Sequence, residues 1–99
     1  MHPPPSTKNQ FPAALKVARK SLSISQEAFG IVSSRTYVSS IERGMKTPTL
    51  TKVDQLAEVL GIHPLTLLTL SYLGKDRSKS AAELKDIVAL QLKRILDTD

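Results

Sequence analysis

The stretch SQEAFGIVSSRTYVSSIERG, residues 25–44, decides the fold. Ser25 is a favoured N-cap residue, and Glu27 in the next turn complements the positive end of a helix dipole. Ala28, Phe29 and Ile31 supply apolar surface to that first, short helix. Gly30 stands in its middle, where glycine costs about 1 kcal/mol relative to alanine. Close approach of a neighbouring helix backbone is one reason to accept that cost. Val32 and Ser33 read as a turn. Ser34 then caps a second helix over 35–43, and Gly44 supplies its stop. Val38 and Ile41 share the inward face of this helix, and a step of about 100° per residue puts Thr36, Ser39, Ser40 and Arg43 opposite Val38. Arg35 joins them at the N-terminal end, and no Asp or Glu interrupts that outward face. The composition suits an acidic surface with polar edges, of which duplex DNA is the commonest; a merely solvated face is the alternative.

The flanking sequence reads as further helices. Residues 1–10, with three consecutive prolines, have little to bury and form a basic arm. Helix one starts near Pro12, with Phe11, Leu15, Ala18 and Leu22 in one stripe. The segments at 25–31 and 35–43 are helices two and three. After a basic loop at 45–48, Thr49 caps helix four, whose buried stripe is Leu50, Val53, Leu56, Ala57 and Leu60, ending at Gly61. Pro64 opens helix five, in which Leu65, Leu68 and Tyr72 share one face while Leu67 and Leu70 occupy the other. A helix apolar on two sides needs two partners. Beyond a charged linker at 75–80, Ser80 and Glu83 match a capping box for helix six. Its stripe is Leu84, Ile87, Val88, Leu92, Ile95 and Leu96, with Gln91 in the middle. The chain is expected to be all-α: an arm at 1–10, a five-helix domain at 11–74, and a linker with a C-terminal helix at 75–99.

Composition narrows the function. The 99 residues, 40% of them hydrophobic, suffice for one modest core. The net charge of +5 favours polyanions without naming one, and residues 1–74 hold +4 of it. There is no cysteine, hence no disulfide and no thiolate chemistry, which suits a reducing cytoplasm. No run approaches the ~18 apolar residues of a membrane span. His2 and His63 are the only histidines and have no second ligand at metal spacing, so neither a metal nor another cofactor is expected. No nucleophile–base pair or phosphate loop is visible, so the chain does not read as an enzyme.

Residues 11–73 resemble the helix-turn-helix of the XRE family, which includes the phage lambda repressor and Cro proteins. The resemblance rests on an ordered set: Leu15 and Arg19, Ile24-Ser25-Gln26, Ser34-Arg35-Thr36-Tyr37-Val38-Ser39, Ile41-Glu42-Arg43-Gly44, Pro48-Thr49-Leu50, and Leu56-Ala57 to Leu60-Gly61-Ile62. Between Gln26 and Tyr37 the chain is two residues shorter than the usual spacing, which predicts a shortened helix two and a rebuilt turn. On this alignment Gly30 falls on the family's small residue at the crossing of helices two and three. The resemblance implies a DNA-binding transcriptional regulator, a repressor in the first instance. It further implies a structural ion pair between Arg19 and Glu42.

The chemistry of DNA reading fits the residues. Helix three can enter the major groove, where each base pair shows its own donor and acceptor pattern. Arg35 has the planar fork for guanine O6 and N7; Thr36, Ser39 and Ser40 are the other candidate base contacts. Tyr37, on the flank, is placed for a phosphate. Ser25 and Gln26 open helix two, where free N–H groups suit a phosphate. Arg43, Lys46 and Thr47 follow helix three and would hold the backbone on the far side. Members of the class commonly pair, setting two reading helices about 34 Å apart on an inverted repeat. Leu67 and Leu70, with Leu84, Ile87, Val88, Leu92 and Ile95, are the candidate homodimer surface. The alternative is a protein-interaction module, such as an antitoxin, with DNA binding secondary.

Overall fold

A computed structural model describes residues 8–74 and 76–97. Among these the elements are all helical: α1 (Phe11–Ser21), a 3-10 helix (Gln26–Ile31), α2 (Arg35–Glu42), α3 (Leu50–Leu60), α4 (Pro64–Leu70) and α5 (Arg77–Asp97). The 3-10 helix is helix two of the sequence reading, and α5 is its helix six. Most of the proline arm lies outside the described residues. Its last residues are tied down: the Gln10 N–H donates to the Ser71 carbonyl at 2.6 Å, and the Phe11 N–H donates to Asn9 Oδ1 at 3.3 Å.

The boundaries follow local chemistry. Ser34 Oγ accepts from the Tyr37 N–H at 3.0 Å and starts α2; Thr49 Oγ1 accepts from the Lys52 N–H at 3.1 Å and starts α3. At the end of α2 the Gly44 N–H donates to Ile41 O and the Met45 N–H to Ser40 O, at 2.9 and 2.8 Å. This closure needs a left-handed residue, and Gly44 supplies it with φ +75°. Pro64 opens α4, where His63 Nδ1 accepts from the Leu65 N–H. α5 begins earlier than the Ser80–Glu83 capping box predicts. Asp76 is its acceptor, taking the Lys79 N–H on Oδ1, and Ser80 is a fully buried residue inside the helix.

One core unites α1 to α4. Phe11, Leu15 and Ala18 of α1 meet Phe29, Val38, Ile41, Val53, Leu56, Ala57, Leu60 and Leu67. α1 packs on α4 and α2, the 3-10 helix on α2, and α3 on α4; α5 leans chiefly on α4.

Several inward assignments change. Leu50, in the first turn of α3, is 73% exposed and outside the buried stripe. The 3-10 helix turns every three residues, so Gln26, Phe29 and Val32 line one side, and Gly30 and Ile31 point away. Ile31 is therefore exposed. A Cβ added to Gly30 would meet no atom within 4 Å, so this glycine does not mark a close helix crossing. In α4 Leu67, expected on a dimer surface, is fully buried, and Leu65 is exposed. The buried line runs from Leu67 to Ser71, one turn on. Ser71 tolerates burial because its hydroxyl donates to Leu68 O at 2.6 Å. Leu67 is thus a core residue and not part of a dimer surface.

Candidate nucleic-acid interface

The reading face is built on α2. Arg35 and Thr36 are exposed in its first turn, Ser39 is half-exposed one turn later, and Arg43 is exposed at the C-terminal end, its Nε donating to Ser39 O at 3.4 Å. Ser40, expected among the base contacts, is buried with 7% exposure. The Ser40 carbonyl accepts from the Met45 N–H at 2.8 Å where the chain folds back at Gly44. Ser40 is therefore removed from the reading face.

Glu42 is the sole carboxylate on α2, and the fold turns it inward. Arg19 of α1 holds it with two hydrogen bonds, Nε to Oε2 at 2.7 Å and Nη2 to Oε1 at 2.9 Å. The side chains are only 12% and 4% exposed. Arg19 Nη1 also donates to Ile24 O, and Gln26 Nε2 donates to Glu42 Oε1, at 3.1 Å each. Burial pushes the Glu42 carboxyl up, but Arg19, then Gln26, and the charge of Lys16 outweigh it and leave it below its ordinary value. The hydrogen bonds that Arg19 donates to Glu42 likewise raise Arg19. The ion pair expected between these two residues is thus present. Gln26, expected at the DNA backbone, gives one amide hydrogen to this cluster and is half-buried.

The cluster leaves a cationic rim. Lys16, Lys20, Ser25, Arg35, Ser39 and Arg43 border a polar cleft of about 500 Å³ between α1, the 3-10 helix and α2. Beyond α2, Lys46 Nζ and Lys52 Nζ each lie 5.5 Å from the centroid of the Tyr37 ring, which is half-exposed. Thr47 is exposed nearby in the loop. Lys52 was not singled out from sequence. It also donates to Val32 O at 2.7 Å, closing the end of the 3-10 helix. A lysine in the first turn of α3 carries no local signal of that role, because its acceptor lies twenty residues away.

A second exposed surface is apolar. α5 shows Ile87, Val88, Leu90, Leu92, Ile95 and Leu96 to solvent, each 38–65% exposed, while Leu84 is half-buried. Leu70, packed against the core edge, lines a groove of about 520 Å³ with Leu65, Leu73 and Ala81 between α4 and α5. Among the described residues no group of three or more His, Cys, Asp or Glu could hold a metal, and no helix is long and apolar enough to cross a membrane.

Residues 15–67 match the family model described as Helix-turn-helix. The chain is 29% identical over 65 residues to control protein C.BamHI of Bacillus amyloliquefaciens, spanning 66% of this chain and 80% of that protein. Its fold is similar to the crystal structure of the restriction-modification controller protein C.AhdI from Aeromonas hydrophila. There the TM-score is 0.56 and the identity 32%, over 59% of this chain and 87% of the other. Both relatives are controllers, which favours a regulator over an antitoxin-like module. With a family match across more than half its length and a capped α2 turned outward, the chain belongs to the XRE-type helix-turn-helix family and is a DNA-binding transcriptional regulator.

Proposed function

We propose that this regulator acts as a homodimer, reading an inverted repeat with α2 in the major groove of each half-site. Arg35, Thr36 and Ser39 face the bases. Ser25, Gln26, Tyr37, Arg43, Lys46 and Thr47 lie toward the phosphates; Gln26 takes part with the amide hydrogen not given to Glu42. One observation carries the reading: α2 points its arginines and hydroxyls outward while its sole carboxylate is turned onto Arg19. Repression is the simplest outcome of occupying an operator. The named relatives further suggest control of restriction-modification genes. Such a protein would work in the cytoplasm, on the nucleoid.

Selection of bound duplexes from a random DNA pool tests this. A two-fold symmetric consensus is expected; no enrichment at low salt would sink the proposal. Affinity should fall steeply with salt, because the rim contacts release counterions. Arg35→Ala should weaken operator binding by about 1–3 kcal/mol and relax one base position in each half-site. A titration of the selected duplex and its single-base variants reads both effects. Unchanged affinity with unchanged preference would show that α2 does not read the DNA.

The dimer is assigned to α5, with Leu70 and the α4/α5 groove beside it. Leu84, Ile87, Val88, Leu92 and Ile95 form the proposed contact, since exposed apolar surface of this extent on a helix marks an interface. Leu92→Lys, half-exposed in the single chain, should leave the fold intact but convert the dimer to monomer. Light scattering across a concentration series checks this. A Leu92→Lys protein that remains dimeric would place the interface elsewhere.

A further inference from the structure

We infer that Glu27 is a positioning residue that aims Arg35 at guanine and thereby sets base preference, an inference that rests on α2 being the DNA reader. Glu27 is on the 3-10 helix and Arg35 on α2, eight residues apart across the turn. The turn brings Glu27 Oε1 to 3.2 Å from Arg35 Nε. Both side chains are on the surface, 63% and 67% exposed, so this contact is not needed to hold the core.

The side of the guanidinium that Glu27 meets matters. Nε is the nitrogen that meets the carboxylate, as an ion pair and not a hydrogen bond, and among the described residues no hydrogen bond engages Nη1 or Nη2. Those two groups are the ones an arginine turns end-on to the O6 and N7 acceptors of guanine. A carboxylate beside Nε and a guanine on the outer edge can be accommodated at once, because they meet different edges of one planar fork. The long arginine side chain would otherwise sample many rotamers and reach neighbouring phosphates as readily as a base.

The carboxylate is itself held. Its own backbone N–H, then the charge of Arg35, with smaller contributions from Ser25 and Arg19, keep it below the usual carboxylate range, so it is ionised at neutral pH. A negative charge beside a DNA-reading face weakens attraction to every phosphate. Its placement therefore works against general affinity and in favour of discrimination. Sequence reading had given Glu27 only a helix-dipole role.

The test uses the full chain and a duplex chosen from the random pool, with its Arg35-dependent guanine kept or replaced by adenine. Wild type should prefer guanine by about 10- to 100-fold. Glu27→Ala removes the ion-pair partner and should collapse that preference to a few-fold. Glu27→Gln keeps the shape of the side chain without its charge and should lose most of it too. Both variants lose the charge, so both should bind unrelated duplex more tightly, and by the same factor. Glu27→Ala in an Arg35→Ala background should change base preference no further. Thermal melting confirms that each variant is folded. If Glu27→Ala and Glu27→Gln tighten binding to all duplexes with the guanine preference intact, Glu27 is only a repulsive charge and the inference fails. If Glu27→Ala sharpens the preference, Glu27 competes with the base and the inference also fails. If wild type and Arg35→Ala show the same base preferences, the underlying assignment of α2 has failed instead.

Discussion

Glu42→Ala should lower the unfolding free energy by about 3–5 kcal/mol, the loss typical when one partner of a buried ion pair is removed. Arg19 would keep its charge at a site where its side chain is 12% exposed, with Ile24 O as its remaining hydrogen-bond partner. Gln26 Nε2 would lose its acceptor as well. A domain of this kind commonly has about 5–15 kcal/mol in all, so a large part of its stability depends on this cluster. Urea unfolding followed by circular dichroism measures the change. A loss below about 1 kcal/mol would mean that the pair behaves like an exposed one.

The same pair gives stability a pH dependence of known sign. The Glu42 carboxyl is depressed in the folded state. Its contribution is therefore fully present above the unfolded glutamate value of about 4.3 and is lost as pH falls through the lower folded value. Wild type should destabilise on acidification below about pH 4.3, and Glu42→Ala should lack that component. The cluster also explains why α2 can carry a glutamate and still face DNA. It ties α1, the 3-10 helix and α2 together and turns α2's own negative charge away from the reading face.

Caps, stops and helical periodicity were legible in the sequence. Ser34, Thr49, Gly44 and Gly61 act through their own backbone neighbourhoods, and the stripes of α1 and α3 use the ordinary 3.6-residue period, apart from Leu50 and from Leu22, which is 45% exposed just past the end of α1. The segment before α2 was legible only as being shortened. Helix two is a 3-10 helix with a period of three, which points Gly30 and Ile31 outward and brings Gln26, Phe29 and Val32 into line. A reading based on 3.6 residues per turn could not place them. Ser40 was misplaced because helical angle alone does not show how wide a face of α2 is covered when two elements, α1 and the 3-10 helix, pack on it. The Glu27–Arg35 contact and the Lys52 bond to Val32 depend on how elements pack across a turn, so no local pattern announces either.

Leu67→Ala tests the burial of Leu67 in α4. Leu67 and Leu65 are the same residue type two positions apart, and sequence alone placed Leu67 on a dimer surface. In the structure Leu67 is fully buried between α1 and α3, and Leu65 is 57% exposed at the groove beside α5. Truncating Leu67 removes buried methyl groups and leaves a cavity, at an expected cost of about 2–5 kcal/mol. Leu65→Ala, in the protein held monomeric by Leu92→Lys, should change stability by about 0.5 kcal/mol, as a surface substitution does. That background separates folding from association, because Leu65 borders the proposed interface. Equal losses for the two variants would mean that α4 is rotated from the position described. The stated order would mean that a polar residue, Ser71, continues the buried line begun by Leu67. A search for apolar neighbours passes over such a line because its second member has its hydroxyl satisfied one turn back, at Leu68 O.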